Sequence, residues 1–221
     1  RVSFDVFIPP KSVRKEYLNK KVLVKVEGWN ENYKNPIGKV IEIIGKVDDY
    51  NTEINSILYD YGFAPKFPKE VEKSANSIAK EISTEEIKKR LDLRKTTTFT
   101  IDPKDAKDFD DALSVKKLTN GNWEVGVHIA DVSHYVKKGG VIDKEAVERA
   151  TSVYLVDRVI PMLPEILSNN ICSLKPNVDR LAYSVLFEMD EKANLVDYKI
   201  AKTVIHSDVR FTYQTAQDVI D

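Results

Sequence analysis

Asp102, Asp108, Asp110 and Asp111 fall within ten residues of one another, with Asp105 among them. The run reads Thr100-Ile101-Asp102-Pro103-Lys104-Asp105-Ala106-Lys107-Asp108-Phe109-Asp110-Asp111-Ala112-Leu113. Carboxylates this close repel one another. A hard divalent cation with oxygen ligands, Mg²⁺ or Mn²⁺, neutralises them most simply, and such an ion points to phosphate chemistry. The apolar stretch from Thr97 to Ile101 delivers Asp102 at a strand end, where Pro103 forbids further ladder pairing. A loop follows, then a strand from near Asp110. In an extended chain Asp108 and Asp110 share a face and Asp111 takes the other, so a common site requires a bulge or turn.

Other readings compete. A solvated acidic loop, balanced by Lys104 and Lys107, is the default for such a run; the flanking apolar strands and the central Phe109 weigh against it. A calcium-binding EF-hand needs glycine at its sixth position and glutamate at its twelfth, and neither register supplies them. Asp108-Phe109-Asp110 echoes phosphatases that form an aspartyl-phosphate, but Ala106-Lys107 is not the apolar strand those require. His128, on the apolar Val127-His128-Ile129, reads as a hydrogen-bonded core or edge histidine. Cys172 reads as a buried, inert thiol. Arg158 and Arg180 suit either phosphate contacts or surface ion pairs.

The chain has 221 residues, 42% hydrophobic, with a formal charge of −1. That length suits one large domain or two ordinary ones. A balanced charge neither demands nor excludes a nucleic-acid partner. One cysteine excludes an internal disulfide framework and fits a reducing, cytoplasmic setting. No apolar run approaches the roughly 18 residues of a membrane helix, and no membrane partner is expected. Arg1 as first residue leads us to expect an interior piece of a longer protein.

The elements that must position the aspartates follow from periodicity. Residues 1–48 read as strands: Val2, Phe4, Val6 and Ile8 alternate before Pro9-Pro10, and Lys21–Val26 and Gly38–Gly45 follow. Three strands bury little alone, so they suggest part of a small barrel. Residues 49–95 read as a charged helical connector. There Val71, Ala75, Ile78, Ala79 and Ile82 share a face, and Ser83 with Glu86 forms a capping box for a helix through Leu91. From 96 longer strands dominate: Thr97–Ile101, then Ala112–Val115 paired with Trp123–Val132, then a hairpin of Leu181–Met189 and Leu195–Ser207. Asp143 is expected to cap a helix stapled by Ile142 and Val147, and a last helix begins near Thr212.

The acidic run resembles the signature of the ribonuclease II/ribonuclease R family. So do Val127-His128-Ile129-Ala130-Asp131-Val132-Ser133, Thr151-Ser152-Val153-Tyr154-Leu155, Ile160-Pro161-Met162-Leu163-Pro164-Glu165 and Cys172-Ser173-Leu174, in the family's order. The resemblance covers about residues 96–221 and is most like the bacterial ribonuclease R branch. It implies an α+β chain: residues 1–48 as the end of an OB-type, cold-shock-like barrel, 49–95 as a helical linker, and 96–221 as the N-terminal part of a mixed α/β RNB catalytic domain. It also implies Mg²⁺-dependent (or Mn²⁺-dependent) 3′-to-5′ hydrolysis of single-stranded RNA to nucleoside 5′-monophosphates. By that resemblance Asp102 and Asp111 match direct metal ligands, Asp108 a ligand held directly or through water, and Asp110 the residue most critical to the chemical step. Asp105 lies outside the matched positions and reads as solvated. Tyr154 matches a tyrosine that packs against 3′-terminal nucleotides, and Phe7, on Asp5-Val6-Phe7-Ile8, matches a base-stacking aromatic of cold-shock barrels. Pro9 stands where free cold-shock proteins carry a histidine, and the strands that should precede Arg1 are absent.

A complete domain of this family extends beyond Asp221, so the chain is expected to hold most of the metal site but not all of the active site. The parent is expected to be a monomer that meets the RNA-decay machinery or the ribosome, and the isolated piece is expected to self-associate through exposed edges. The alternative is an RNA-binding or assembly module without catalysis.

Overall fold

The computed structural model describes residues 4–29 and 34–221, which divide between Phe67 and Pro68 into two compact units. In the first, β1 (Lys20–Gly28) and β2 (Ile37–Lys46) pair antiparallel with several bulges. Helix α1 (Tyr50–Asp60) is capped by Asp49, whose carboxylate accepts the Thr52 N–H at 2.9 Å. It packs on β2 because Gly45 has no Cβ: one built there would lie 2.0 Å from the buried Thr52 hydroxyl. Tyr59 donates to Glu42 at 2.8 Å across the same contact. A helix placed in the connector by sequence thus packs with the first strands.

Of the alternating strand expected over Val2–Ile8, Val2 lies outside the described residues. The rest is not a regular strand. Phe7 makes only an isolated bridge, its N–H donating to Pro36 O at 2.8 Å and its carbonyl accepting from Gly38 N–H at 3.0 Å. The proline pair then turns the chain into a short 3₁₀ helix, Pro10–Ser12.

The second unit carries a seven-stranded mixed sheet. Its strands are β3 (Leu91–Asp92), β4 (Thr98–Asp102), β5 (Asp111–Lys117), β6 (Trp123–Ala130), β9 (Asp179–Met189), β10 (Leu195–His206) and β11 (Val209–Thr212). The order across the sheet is β11-β4-β5-β6-β9-β10-β3. The expected hairpins β5–β6 and β9–β10 are present, and β6 pairs with β9. Helices α2 (Lys69–Asn76), α3 (Thr84–Lys88), α4 (Val132–Tyr135), α5 (Val141–Arg149) and α6 (Tyr213–Ile220), the ribbon β7 (Val153–Tyr154) with β8 (Val159–Ile160), and a π-helical segment, Leu167–Ile171, complete it. Thr212 caps α6 in a capping box with Thr215.

Several helix boundaries correct the sequence expectation. Helix α2 stops at Asn76 rather than carrying its apolar face to Ile82, because Asn76 donates to Glu72 O at 2.8 Å and Ser77 to Ser74 O at 2.7 Å, taking the last carbonyls. Ser83 does cap α3, but the helix ends at Lys88 and Leu91 joins β3 beside Thr203. Helix α5 starts from Gly140. Asp143 lies within its first turn and accepts from Gly139 N–H at 2.7 Å, and Val147 is 73% exposed, so it staples nothing. Strand β6 ends at Ala130, and Asp131 caps α4.

The sheet core is threaded by a polar chain. Thr203 donates to Ala182 O at 3.3 Å, so it must accept from Ser184 at 2.6 Å; Ser184 must then accept from His128 Nδ1–H at 2.6 Å, leaving Nε2 to accept from Ser114 at 2.9 Å. All four side chains are buried. Gly126 makes room, since a Cβ there would lie 2.3 Å from the Ser114 hydroxyl. Burial pulls the His128 pKa down to about 4. Above about pH 6.5 the imidazole is neutral folded or unfolded. Between that pH and about 4 the unfolded chain binds a proton that the native chain refuses, so stability is lost as pH falls, by up to ~3 kcal/mol. Urea unfolding at stepped pH should show this slope in the wild type and a flatter one in His128→Gln; equal slopes would remove His128 from the account.

Candidate active site

Strand β4 ends at Asp102 and β5 begins at Asp111, so the acidic run is the connection between two neighbouring antiparallel strands. The turn that the opposed side-chain directions demanded is there: residues 103–110 are non-repetitive loop. Asp102 and Asp108 are half-buried, while Asp105, Asp110 and Asp111 are exposed.

Groups of distant segments hold this loop; the sequence marks Ser173 only as part of the block Cys172-Ser173-Leu174, without a role, and does not mark Arg210. Arg210, on β11, donates from Nη2 to Pro103 O at 2.6 Å and to Lys104 O at 2.7 Å. Its guanidinium also lies 5.1 Å from the centre of the Phe109 ring. The Ser173 hydroxyl accepts from Phe109 N–H at 3.0 Å and donates to Lys107 O at 2.9 Å. Leu174 N–H donates to Phe109 O at 2.8 Å, and Ala130 N–H to Asp110 O at 2.9 Å. Phe109, set among carboxylates in the sequence, is the buried anchor of the loop. Arg180 is half-buried and gives its donors to main-chain carbonyls, those of Ser173 at 2.8 Å, Asn170 at 3.0 Å and Asp179 at 3.1 Å. Arg158 pairs with Asp157 at 2.6 Å.

The electrostatics match a crowded set of acids. Burial raises the Asp102 pKa, the nearby Thr100 hydroxyl and the Arg210 charge pull it back in part, and the charges of Asp111 and Asp108 push it up again. Asp110, though open to solvent, is raised by the partial burial of its carboxyl and by Asp108, Asp111 and Asp102. The Asp102 Oδ2 is buried without a hydrogen-bond partner, as is the Thr100 hydroxyl on the same strand. Among the described residues no three carboxylate, imidazole or thiolate groups close on one point as a finished ligand shell. The donor chemistry nevertheless fits a hard cation: oxygen-only side chains, one buried oxygen lacking a partner, and mutual repulsion that a cation would relieve.

Tyr154 reaches the same cluster. Its hydroxyl donates to Asp108 Oδ2 at 3.1 Å and its pKa is raised, by burial first and then by Asp108, while the residue stays 68% exposed. Phe7 is 48% exposed in the first unit. His128 is the satisfied core histidine the sequence suggested, and Cys172 is buried, its thiol pushed up to about 12 by burial.

The second unit is thus a mixed sheet that carries carboxylates at one strand end, beside an exposed aromatic. Comparison with known proteins resolves this further. The RNB domain matches residues 90–221 and the cold shock domain residues 1–68, and the chain belongs to the RNB domain family. Ribonuclease R of Thermotoga maritima is 42% identical over 223 residues, covering all of this chain and 31% of that protein. Ribonuclease R 1 of Lactococcus lactis is 48% identical over 183 residues, covering 83% of this chain and 22% of that protein. The chain spans about a third or less of the length of these relatives. Mycoplasma genitalium RNase R, solved with double-stranded RNA, superposes with a TM-score of 0.84 at 30% identity, over 99% of this chain and 39% of that one. Yeast Ssd1, a pseudonuclease, shares the fold with a TM-score of 0.70 at 20% identity, over 97% of this chain and 28% of that one.

Proposed function

We propose that this chain is part of a divalent-metal-dependent 3′-to-5′ exoribonuclease that hydrolyses single-stranded RNA to nucleoside 5′-monophosphates. The observation that carries it is the clamped β4–β5 connection, which brings the four aspartates close enough for their charges to raise the pKa values of Asp102 and Asp110 and leaves one Asp102 oxygen buried without a partner. Asp102, Asp108 and Asp111 hold the metal, Mg²⁺ or Mn²⁺. Bound there, the ion supplies Lewis acidity toward the scissile phosphate and a lowered pKa for the attacking water. Asp110 orients that water and takes its proton. Tyr154 offers its ring to the terminal base while its hydroxyl steadies Asp108, and Phe7 adds a stacking surface in the cold shock unit. The parent protein is a cytoplasmic monomer with the RNA-decay machinery or the ribosome as its setting.

Relatedness in fold alone does not guarantee catalysis, since Ssd1 is a pseudonuclease. A non-catalytic RNA-binding role is the second reading, and the intact aspartates argue against it. The deciding assay is 5′-labelled single-stranded RNA incubated with the parent protein and Mg²⁺, with and without chelator. Shortening from the 3′ end that stops with chelator is the expected result; RNA bound but uncut at any metal concentration would favour the second reading.

Tyr154→Ala in the parent is expected to weaken single-stranded RNA binding by ~1–3 kcal/mol. Tyr154→Phe keeps the ring and should bind nearly as wild type in fluorescence anisotropy. Equal weakening by both would shift the role from ring to hydroxyl.

A further inference from the structure

Asp108 owes its direction, and Asp110 part of its own, to a two-residue segment more than sixty positions away. Ser173 is fully buried, and its one hydroxyl meets both peptide groups that flank Asp108. The Lys107 carbonyl belongs to the peptide plane before Asp108, and the Phe109 N–H to the plane after it. Holding both planes fixes φ and ψ at Asp108, and with them the direction of its Cα–Cβ bond. The same logic continues one step along. The Phe109 carbonyl, bound by Leu174 N–H, lies in the plane before Asp110; the Asp110 carbonyl, bound by Ala130 N–H, lies in the plane after it. Ser173 is itself held, since Arg180 donates to its carbonyl at 2.8 Å and its own N–H donates to Asn170 O at 3.2 Å.

We propose that Ser173 is a positioning residue of the cation site, its hydroxyl setting the aim of the Asp108 carboxylate. The assignment rests on the reading of the four aspartates as that site. The task needs a side chain that accepts and donates from a single atom in a space closed to water, which a hydroxyl does and a methyl group does not. A metal site demands ligand directions held within a narrow range, and outer groups that orient ligands affect metal affinity by roughly 10–100-fold.

The test is Mn²⁺ binding to the chain, followed by electron paramagnetic resonance titration, with hydrogen exchange of the Phe109 amide read in parallel. Ser173→Ala is expected to bind Mn²⁺ roughly 10–100-fold more weakly and to exchange the Phe109 amide faster. Ser173→Thr and Ser173→Val have the same shape, so any overpacking cancels between them. Thr is expected to keep most of the affinity and Val to lose it. Ser184→Ala removes an equally buried, hydrogen-bonded hydroxyl from the sheet core, and is expected to lower thermal stability while leaving Mn²⁺ affinity unchanged. Wild-type affinity in Ser173→Ala, or equal affinities in the Thr and Val variants, would overturn the role of Ser173 and leave the cation site standing. The same loss in Ser184→Ala would overturn it too, by showing general loosening. No Mn²⁺ binding by the wild type would overturn the cation site itself, and the assignment with it.

Discussion

Asp110→Asn in the parent protein is expected to slow RNA cleavage by roughly 10³-fold or more, about 4 kcal/mol of barrier, while RNA binding stays near wild type. The two side chains have nearly the same shape, and the backbone carbonyl of residue 110 keeps its bond from Ala130 N–H, so the loop retains its course. What is lost is the carboxylate proposed to orient and deprotonate water. Stability should move the other way. The charged form of Asp110 is disfavoured by partial burial and by Asp108, Asp111 and Asp102, which is why its pKa is raised. A neutral amide removes that repulsion, so the metal-free variant should melt higher than the metal-free wild type. Single-turnover cleavage of labelled RNA beside a thermal melt in chelator checks both signs. Cleavage near the wild-type rate would end the proposed role of Asp110. A lower melting temperature would show that the repulsion is not what strains the loop.

Arg90→Met carries the largest expected effect on stability, a loss of about 3–5 kcal/mol. Both side chains of the Arg90–Asp131 pair are nearly inaccessible, with Nη2 2.7 Å from Oδ2, close but not aligned as a hydrogen bond. Arg90 also donates from Nε to Glu86 at 2.7 Å and from Nη1 to Ala182 O at 3.4 Å. Removing it strands a carboxylate whose pKa, despite the upward push of burial, is held low by the Ser133 hydroxyl and by Arg90. Asp131 directly follows Ala130, whose N–H supports Asp110, so the damage lies one residue from the candidate site. Asp131→Asn keeps the cap on α4 and drops the charge. Combined with Arg90→Met it should lose clearly less than the two single losses added together. Urea unfolding of the four proteins measures that coupling. Additivity within about 0.5 kcal/mol would show that the pair does not act as a unit.

The identity and order of the acids, the hairpins β5–β6 and β9–β10, the cap at Ser83, the start of a helix near Thr212 and the buried character of His128 and Cys172 could all be read from the sequence. Each depends on a side-chain period, a turn or a cap that spans a few residues, so its signal is local. Where helices stop was less legible, because ends such as Asn76 and Lys88 are decided by which partner takes the last carbonyls or recruits the next side chain. The parallel pairing of β11 with β4, more than a hundred residues apart, leaves no periodic trace. The same holds for the hydroxyl of Ser173 between Lys107 and Phe109, for Arg210 on Pro103 and Lys104, and for Tyr154 on Asp108. Resemblance marked Tyr154 and the block around Ser173, but nothing local in the sequence says what either hydroxyl touches. Alone, then, the sequence determined which carboxylates exist and that they lie at a strand end. Only the tertiary structure decided which way they point, because the peptide planes that aim them are held by groups that approach once the sheet has closed.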